Sequence, residues 1–391
     1  MAVVGNLPPL LFITFRSLYD ISYSLLGALV LINFVTQLAV DLAFSFFSHK
    51  FNIPLAVKTA PILGVTGLWI FALWPFFFPE TAYVGMVIGT VIFSAASGFG
   101  EVLISPVIAA IPADDPDREM SKLHSIYAWG SVGVILVGTL FILLAGGENW
   151  HWLVLGSSLI PLAALLLFSG AKIPQMETPE KISGALSFLK NKWLWICVFA
   201  IFIGGSAECT MAQWCSGYVE QALGVPKIWG DVFGVALFAA MLGLGRTLYA
   251  KIGKKMGRVL FWGAVGATLC YLVAAISSNP IIGLVACGLT GFCTSMLWPG
   301  NLVVASDRFP SGGVFIFAMM AAGGDLGASV GPQLVGVVTD AVISIKELAL
   351  FAESLGLTAD QLGMKLGILV GMLFPLAGIP LFAYIRHARK E

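Results

Sequence analysis

The sequence predicts an all-α integral membrane protein with twelve transmembrane helices, the first one short, in two pseudo-symmetric six-helix bundles. Three observations carry that prediction. Hydrophobic residues make up 58% of the 391 and charged residues 11%, with a mean hydropathy of +0.93, whereas a soluble domain carries roughly 25% charged residues. Apolar runs long enough to cross a bilayer recur along the whole chain, and Lys and Arg collect on alternate connections between them.

A helix needs about 20 apolar residues to cross the hydrocarbon core. Runs near that length fall at 22–47, 57–79, 82–112, 123–146, 151–170, 193–222, 228–250, 258–277, 281–305, 312–337 and 364–386. Ahead of them, residues 2–15 form a shorter run containing Pro8-Pro9. At ~1.5 Å per residue it reaches only about 21 Å, and it reads as a first helix lacking its N-terminal half, a loss expected to impair transport. With both termini inside, seventeen Lys and Arg fall on the inner connections and four (Arg16, Lys227, Lys346, Lys365) on the outer ones, the bias expected of cytoplasmic loops. Aromatic residues at Trp74–Phe78, Trp150, Trp152, Trp193 and Trp229 mark the run ends, as an interfacial belt does.

Residues 171–192 are the longest polar inner segment. They divide the chain into an N-terminal bundle (1–170), a cytoplasmic linker and a C-terminal bundle (193–391). The halves echo one another: Ser105-Pro106 leads to Gly130-Ser131-Val132-Gly133 in the first, and Trp298-Pro299 leads to Ala328-Ser329-Val330-Gly331 in the second. Such repeats are the plan of many transporters. All six cysteines lie in apolar runs and read as small buried hydrophobes. No Asn-x-Ser/Thr acceptor, metal-binding His-Glu-x-x-His, Gly-x-Ser-x-Gly or phosphate-binding glycine loop occurs, and the neutral net charge argues against nucleic acid as a partner. An enzyme is not expected. The partners expected are a small-molecule solute and the lipid bilayer, around a monomer.

Charge at membrane depth is costly and usually faces a cavity. Acids fall in the second run (Asp41), the fourth (Glu101), the seventh (Glu208) and the eleventh (Asp325), with Arg246 toward the inner end of the eighth. The third, sixth, ninth and twelfth interiors have none, so those four are expected outside and the other eight around a cavity. Helical spacing adds polar faces: Asn33, Gln37 and Asp41 at i, i+4, i+8; Ser94, Ser97, Glu101 and Ser105; His124, Tyr127 and Ser131; Asp325, Ser329 and Gln333. The seventh run also carries Gln213 and Trp214, the tenth Thr294, Trp298 and Asn301. Ser and Thr in such helices mostly pack or back-bond. Glu208 and Asp325 could each pair with Arg246, and Asp41 suits a gate. Trp129, Trp214 and Trp298 are either core fillers or platforms for the apolar face of a sugar. Four acids against one Arg leave excess negative charge. Burial favours the protonated carboxyl, so such groups suit proton carriage, or sodium binding; no other cofactor is expected.

Gly98-Phe99-Gly100-Glu101 through Ser105-Pro106, followed by Leu123-His124-Ser125-Ile126-Tyr127-Ala128-Trp129-Gly130, resembles the fourth and fifth helices of the fucose permease-like branch of the major facilitator superfamily. Gly323-Gly324-Asp325-Leu326-Gly327 resembles the eleventh helix of bacterial relatives there. The resemblance implies that Glu101 couples protons to sugar and that His124 and Tyr127 bind it. The interior charges and polar faces themselves make Asp325 and Glu208 the further proton-coupling acids, and Asn33, Gln37, Gln213, Trp214, Trp298 and Asn301 the further expected solute contacts. Asp41 and Arg246 would then gate. The resemblance implies proton-coupled symport in a bacterial cytoplasmic membrane, with proton-coupled efflux of drugs or cationic metabolites as the rival, and a transport-dead protein as a third reading. The superfamily's loop signature is altered, with His49 and Ala250 where an acid stands in relatives. Of the Asn-Asp pair of the first helix, only Asn6 is present.

Overall fold

The structure is a computed structural model and describes residues 1–47, 51–111, 116–173, 185–252, 255–309 and 313–388. Those residues are helical almost throughout, with no strand among them. Ten stretches among them are long and apolar enough to cross a membrane. The first and fifth passes complete twelve.

Local chemistry explains most breaks. The first pass is two helices, α1 (Ala2–Leu10) and α2 (Phe12–Tyr19), because Pro8 and Pro9 remove two backbone donors and the Leu11 N–H closes a tight turn onto Pro8 O at 3.0 Å. The second is α3 (Tyr23–Phe47). The third, α4 (Ile53–Phe77), starts earlier than the hydropathy suggests because Asn52 accepts the Leu55 N–H and Pro54 occupies the first turn. The fourth and fifth are α5 (Ala82–Ala110) and α6 (Pro116–Ala145); the sixth is α7 (Trp150–Ser157) with α8 (Leu159–Gly170).

The seventh, α9 (Lys192–Leu223), ends on Gly224 at φ 64°, the left-handed stop a glycine supplies. The eighth begins as α10 (Lys227–Gly230), loosens into a π-helical stretch, Asp231–Ala236, and resumes as α11 (Leu237–Ile252). After α12 (Met256–Ile276), the tenth pass breaks between α13 (Pro280–Thr294) and α14 (Pro299–Arg308). Then come α15 (Gly313–Ser344), the short surface helix α16 (Lys346–Ser354), and a twelfth pass made of α17 (Ala359–Gly371) and α18 (Leu373–Ala388).

By contacts the chain forms two units. One comprises 1–19 and 32–188, the other 20–31 and 189–391. The second unit therefore takes the first residues of α3. In the first unit, Phe15 packs edge-on against Phe71 (5.7 Å) and Trp150 (4.8 Å), and α4 lies backbone to backbone with α5. A methyl on Gly67 would stand 2.5 Å from Phe93 N. In the second unit α9 packs on α15 in the same way: a methyl on Gly327 would stand 2.1 Å from Phe202 O. Close backbone approach is how membrane helices associate without a hydrophobic drive between them.

The expectation of an uncharged twelfth interior needs correction. A Thr358–Gln361 capping box starts α17 at Ala359, which places Lys365 two turns inside it and buried. Its ammonium is nonetheless satisfied, donating to Ala275 O at 3.4 Å and to Ser277 O, so it caps the C-terminal end of α12.

Candidate solute site

In the first unit, α3 and α5 meet along the polar stripe. Gly98 leaves room for this: a methyl there would lie 3.0 Å from Val40 Cβ and 3.4 Å from Gln37 Cα. Asn33 Oδ1 accepts the Ser94 hydroxyl at 2.6 Å, and both residues are buried, as are Gln37, Asp41 and Ser97. Glu101, two turns along the same face of α5 from Ser94, is exposed. The opening turn of α1 lies against the neighbouring Gly100, with Met1 Sδ 3.2 Å from the position a methyl there would take. Asn6 reaches the fifth pass, donating from Nδ2 to Ser131 Oγ at 3.1 Å. His124 and Tyr127 belong to α6, but their side chains lie outside the described residues, as does His49.

In the second unit the polar groups are knotted more tightly. The Arg246 guanidinium donates to Glu208 Oε1 at 3.1 Å and Oε2 at 3.4 Å, and its Nε donates to Ser295 O at 3.1 Å. That carbonyl is available because the tenth pass breaks at residues 295–298: Pro299 has no N–H to donate into the ladder. One arginine thus neutralises an acid and satisfies a helix break. Glu208 is 14% exposed and Arg246 45%. Asp325 lies on α15, the helix packed against α9: the carbonyl of its neighbour Gly324 is 2.4 Å from where a methyl on Gly205 of α9 would sit. On α9, Glu208, Cys209, Ala212 and Gln213 are the partly open face, while Met211, Trp214 and Cys215 are buried.

The three indoles have separate fates. Trp129 is 76% exposed on α6. Trp298 is wedged between α9 and α15, its ring 2.6 Å from where a methyl on Gly324 would sit and 3.0 Å from one on Gly205. Trp214 has 0% exposure and spends its N–H on Pro332 O at 2.8 Å. Of the two readings open to Trp214, this placement is the core filler's. Asn301 is likewise occupied: it is buried, and its amide donates to Ala200 O (3.1 Å) and Leu297 O (2.6 Å), bracing the broken pass.

Three ionisable residues escaped the sequence reading as site candidates. Asp231 is fully buried in the π-helical stretch, where it accepts the Ser216 hydroxyl; such bulges collect at functional positions. Lys365 is the cap described above. Asp340 sits near the end of α15, three residues beyond the run drawn from hydropathy. An acid inside an apolar run was the available signal for Asp231.

Membrane-length helices with buried polar residues in each unit, and an arginine–carboxylate pair at a broken helix, have the make-up of a solute carrier. Residues 1–332 match the Major Facilitator Superfamily, and the chain belongs to that family of transporters. No match was found among curated proteins. Solved structures share the fold. A bacterial homolog of the human lysosomal transporter Spinster, inward-facing and unoccupied, superposes with TM-score 0.71 at 11% identity, covering 99% of this chain and 95% of that one. The nucleoside transporter NupG gives 0.68 at 12%, covering 97% and 98%. The E. coli fucose:proton symporter FucP gives 0.58 at 15%, covering 96% and 95%.

Proposed function

We propose that this transporter moves a small polar solute, with sugars the leading class, by proton-coupled symport. The observation that carries the reading is Glu101, an exposed carboxylate on an otherwise uncharged membrane-length helix, on the face that bears Ser94 and Ser97. A carboxylate so placed can take up and release a proton while hydroxyl and amide groups nearby bind a hydroxylated solute. Asp325 and the Glu208–Arg246 pair form the second polar region. On protonation Glu208 would release Arg246, linking proton occupancy to an altered helix break. The names of similarly folded proteins, a fucose:proton symporter and a nucleoside transporter, fit a solute bearing a sugar ring. The inner surface is assigned to the Lys- and Arg-rich connections, with both termini in the cytoplasm of a bacterial cell.

Proteoliposomes with an imposed pH gradient test this, after a thermal-shift screen over sugars, polyols and organic cations selects the solute. Glu101→Gln is expected to abolish pH-driven accumulation while retaining counterflow of labelled solute. Normal accumulation by that variant would remove Glu101 from the coupling role. Proton-driven export of a cation by the unaltered protein would replace symport with antiport.

A further inference from the structure

The N-terminal end of α3 is held in an unusual way. The first N–H groups of a helix have no partner within it. Here Ser22 supplies one cap from its own segment, its hydroxyl accepting the Leu25 N–H at 3.3 Å. The next two come from far along the chain. Asp340 of α15 accepts the Tyr23 N–H at Oδ1 (3.0 Å) and the Ser24 N–H at Oδ2 (2.7 Å), and the Ser24 hydroxyl also donates to it. One carboxylate thus closes a helix start with charge of the favourable sign.

Around that cap the two helices are fitted together. Gln333, two turns before Asp340 on the same face of α15, donates to Ser24 O at 3.1 Å. A methyl on Gly336 would stand 2.2 Å from Tyr23 O, and one on Gly27 would stand 3.1 Å from Gln333 Cα. The Tyr23 ring is fully buried and its hydroxyl donates to Asp360 of α17 at 3.1 Å. All these groups belong to the second contact unit, whereas α3 from Ile32 onward belongs to the first. A single helix passes from one unit to the other, and its first turns are fastened at the Asp340 end.

We propose that Asp340 is a latch: it fastens the outer end of α3 to α15, and release of that cap is a required step of the transport cycle. The inference rests on the transporter reading and names a residue that controls its cycle. The latch is a cap and not a salt bridge, so it opens by exposing two N–H groups to water at the membrane surface, where they are readily hydrated. Release also frees the bonds from Gln333 and the Tyr23 hydroxyl, so the latch is a set of hydrogen bonds with no ion pair to separate. The close glycine fit at Gly336 and Gly27 brings the two backbones together at this register.

Three measurements test the latch. In hydrogen–deuterium exchange on the purified protein in nanodiscs, which needs no known solute, Asp340→Ala is expected to speed exchange over residues 23–31 and 333–340 roughly fivefold, the factor for loss of one helix cap. Asp340→Asn, which keeps one acceptor, should lie between. A merely structural cap would fray only at Tyr23 and Ser24, so Gln213→Cys provides a deeper reporter: Asp340→Ala should raise its modification by a membrane-impermeant maleimide added outside. Finally, Ser24→Cys with Asp340→Cys, oxidised by diamide, which takes up the two thiol hydrogens as the S–S bond forms, should stop solute counterflow until dithiothreitol restores it. Exchange confined to residues 23 and 24, unchanged maleimide labelling, or counterflow through the verified disulfide would each overturn the latch. Absence of any solute flux in the unaltered, reduced protein would instead count against the transporter reading, leaving the exchange result to judge the latch.

Discussion

Glu101 and Glu208 are the same residue type, each set within a membrane helix, and their surroundings differ sharply. Glu101 is exposed on α5, next in sequence to the Gly100 that meets the opening turn of α1. Glu208 is almost buried on α9 and committed to Arg246, which is itself committed to the carbonyl of Ser295. The contrast teaches what each acid can do. An exposed carboxylate is open to proton donors and acceptors in the space it faces. A buried, paired one cannot change charge without disturbing its cation and, through it, the break in the tenth pass.

The largest test of that contrast is to remove the geometry that packs α9 on α15. Gly327→Val would drive a side chain into Phe202 O, which lies 2.1 Å from the first methyl position. A loss of about 3 kcal/mol or more, seen as failure to purify as a folded monodisperse species, is expected. A variant with the melting temperature of the unaltered protein would show that the backbone fit around Glu208 is not rigid.

Next in size is Arg246→Met. Breaking a fully buried ion pair costs roughly 3–5 kcal/mol, but Arg246 is 45% exposed, and solvent screening reduces the expectation to about 1–2 kcal/mol. Thermal unfolding in detergent measures it, and Glu208→Gln added to the same protein should recover most of the loss. If the double variant is no more stable than the single one, the cost comes from the unsatisfied Ser295 carbonyl and not from the stranded acid.

The smallest effect sharpens the first region. Ser94→Ala removes the hydroxyl donated to Asn33, and hydrogen bonds between membrane helices average about 0.6 kcal/mol. A shift of a degree or two in melting temperature is expected, with solute affinity falling further than stability if Asn33 also contacts solute. Equal losses in both would assign the pair to packing alone.

How much could be read from the sequence follows the range of the interactions. Apolar runs and loop charges place the passes, because each is local and repeated. The polar stripe from Asn33 to Asp41 is likewise a local spacing, and its contact with Ser94 follows from two faces of that kind. Pairing of Arg246 with Glu208 was one of two options, since composition shows a single interior arginine but not which acid it meets. Trp214 and Asn301 could not be judged at all, because spacing gives a face and not whether a carbonyl on another helix, such as Pro332 or Ala200, already uses the donor. Lys365 looked like a loop residue for a related reason: its partner is the end of another helix. Asp340 lay just beyond the run drawn from hydropathy, and its partner Ser24 is 316 residues away.

That distance has a consequence for biosynthesis. Ser24 and its cap are 316 residues apart, so at roughly 5–20 residues per second the ribosome needs about 15–60 s to supply Asp340 after Ser24 has been made. Throughout that interval the nascent α3 sits in the bilayer with its leading amides served only by water or by a chaperone, and a stall before α15 would leave a long-lived target for membrane proteases.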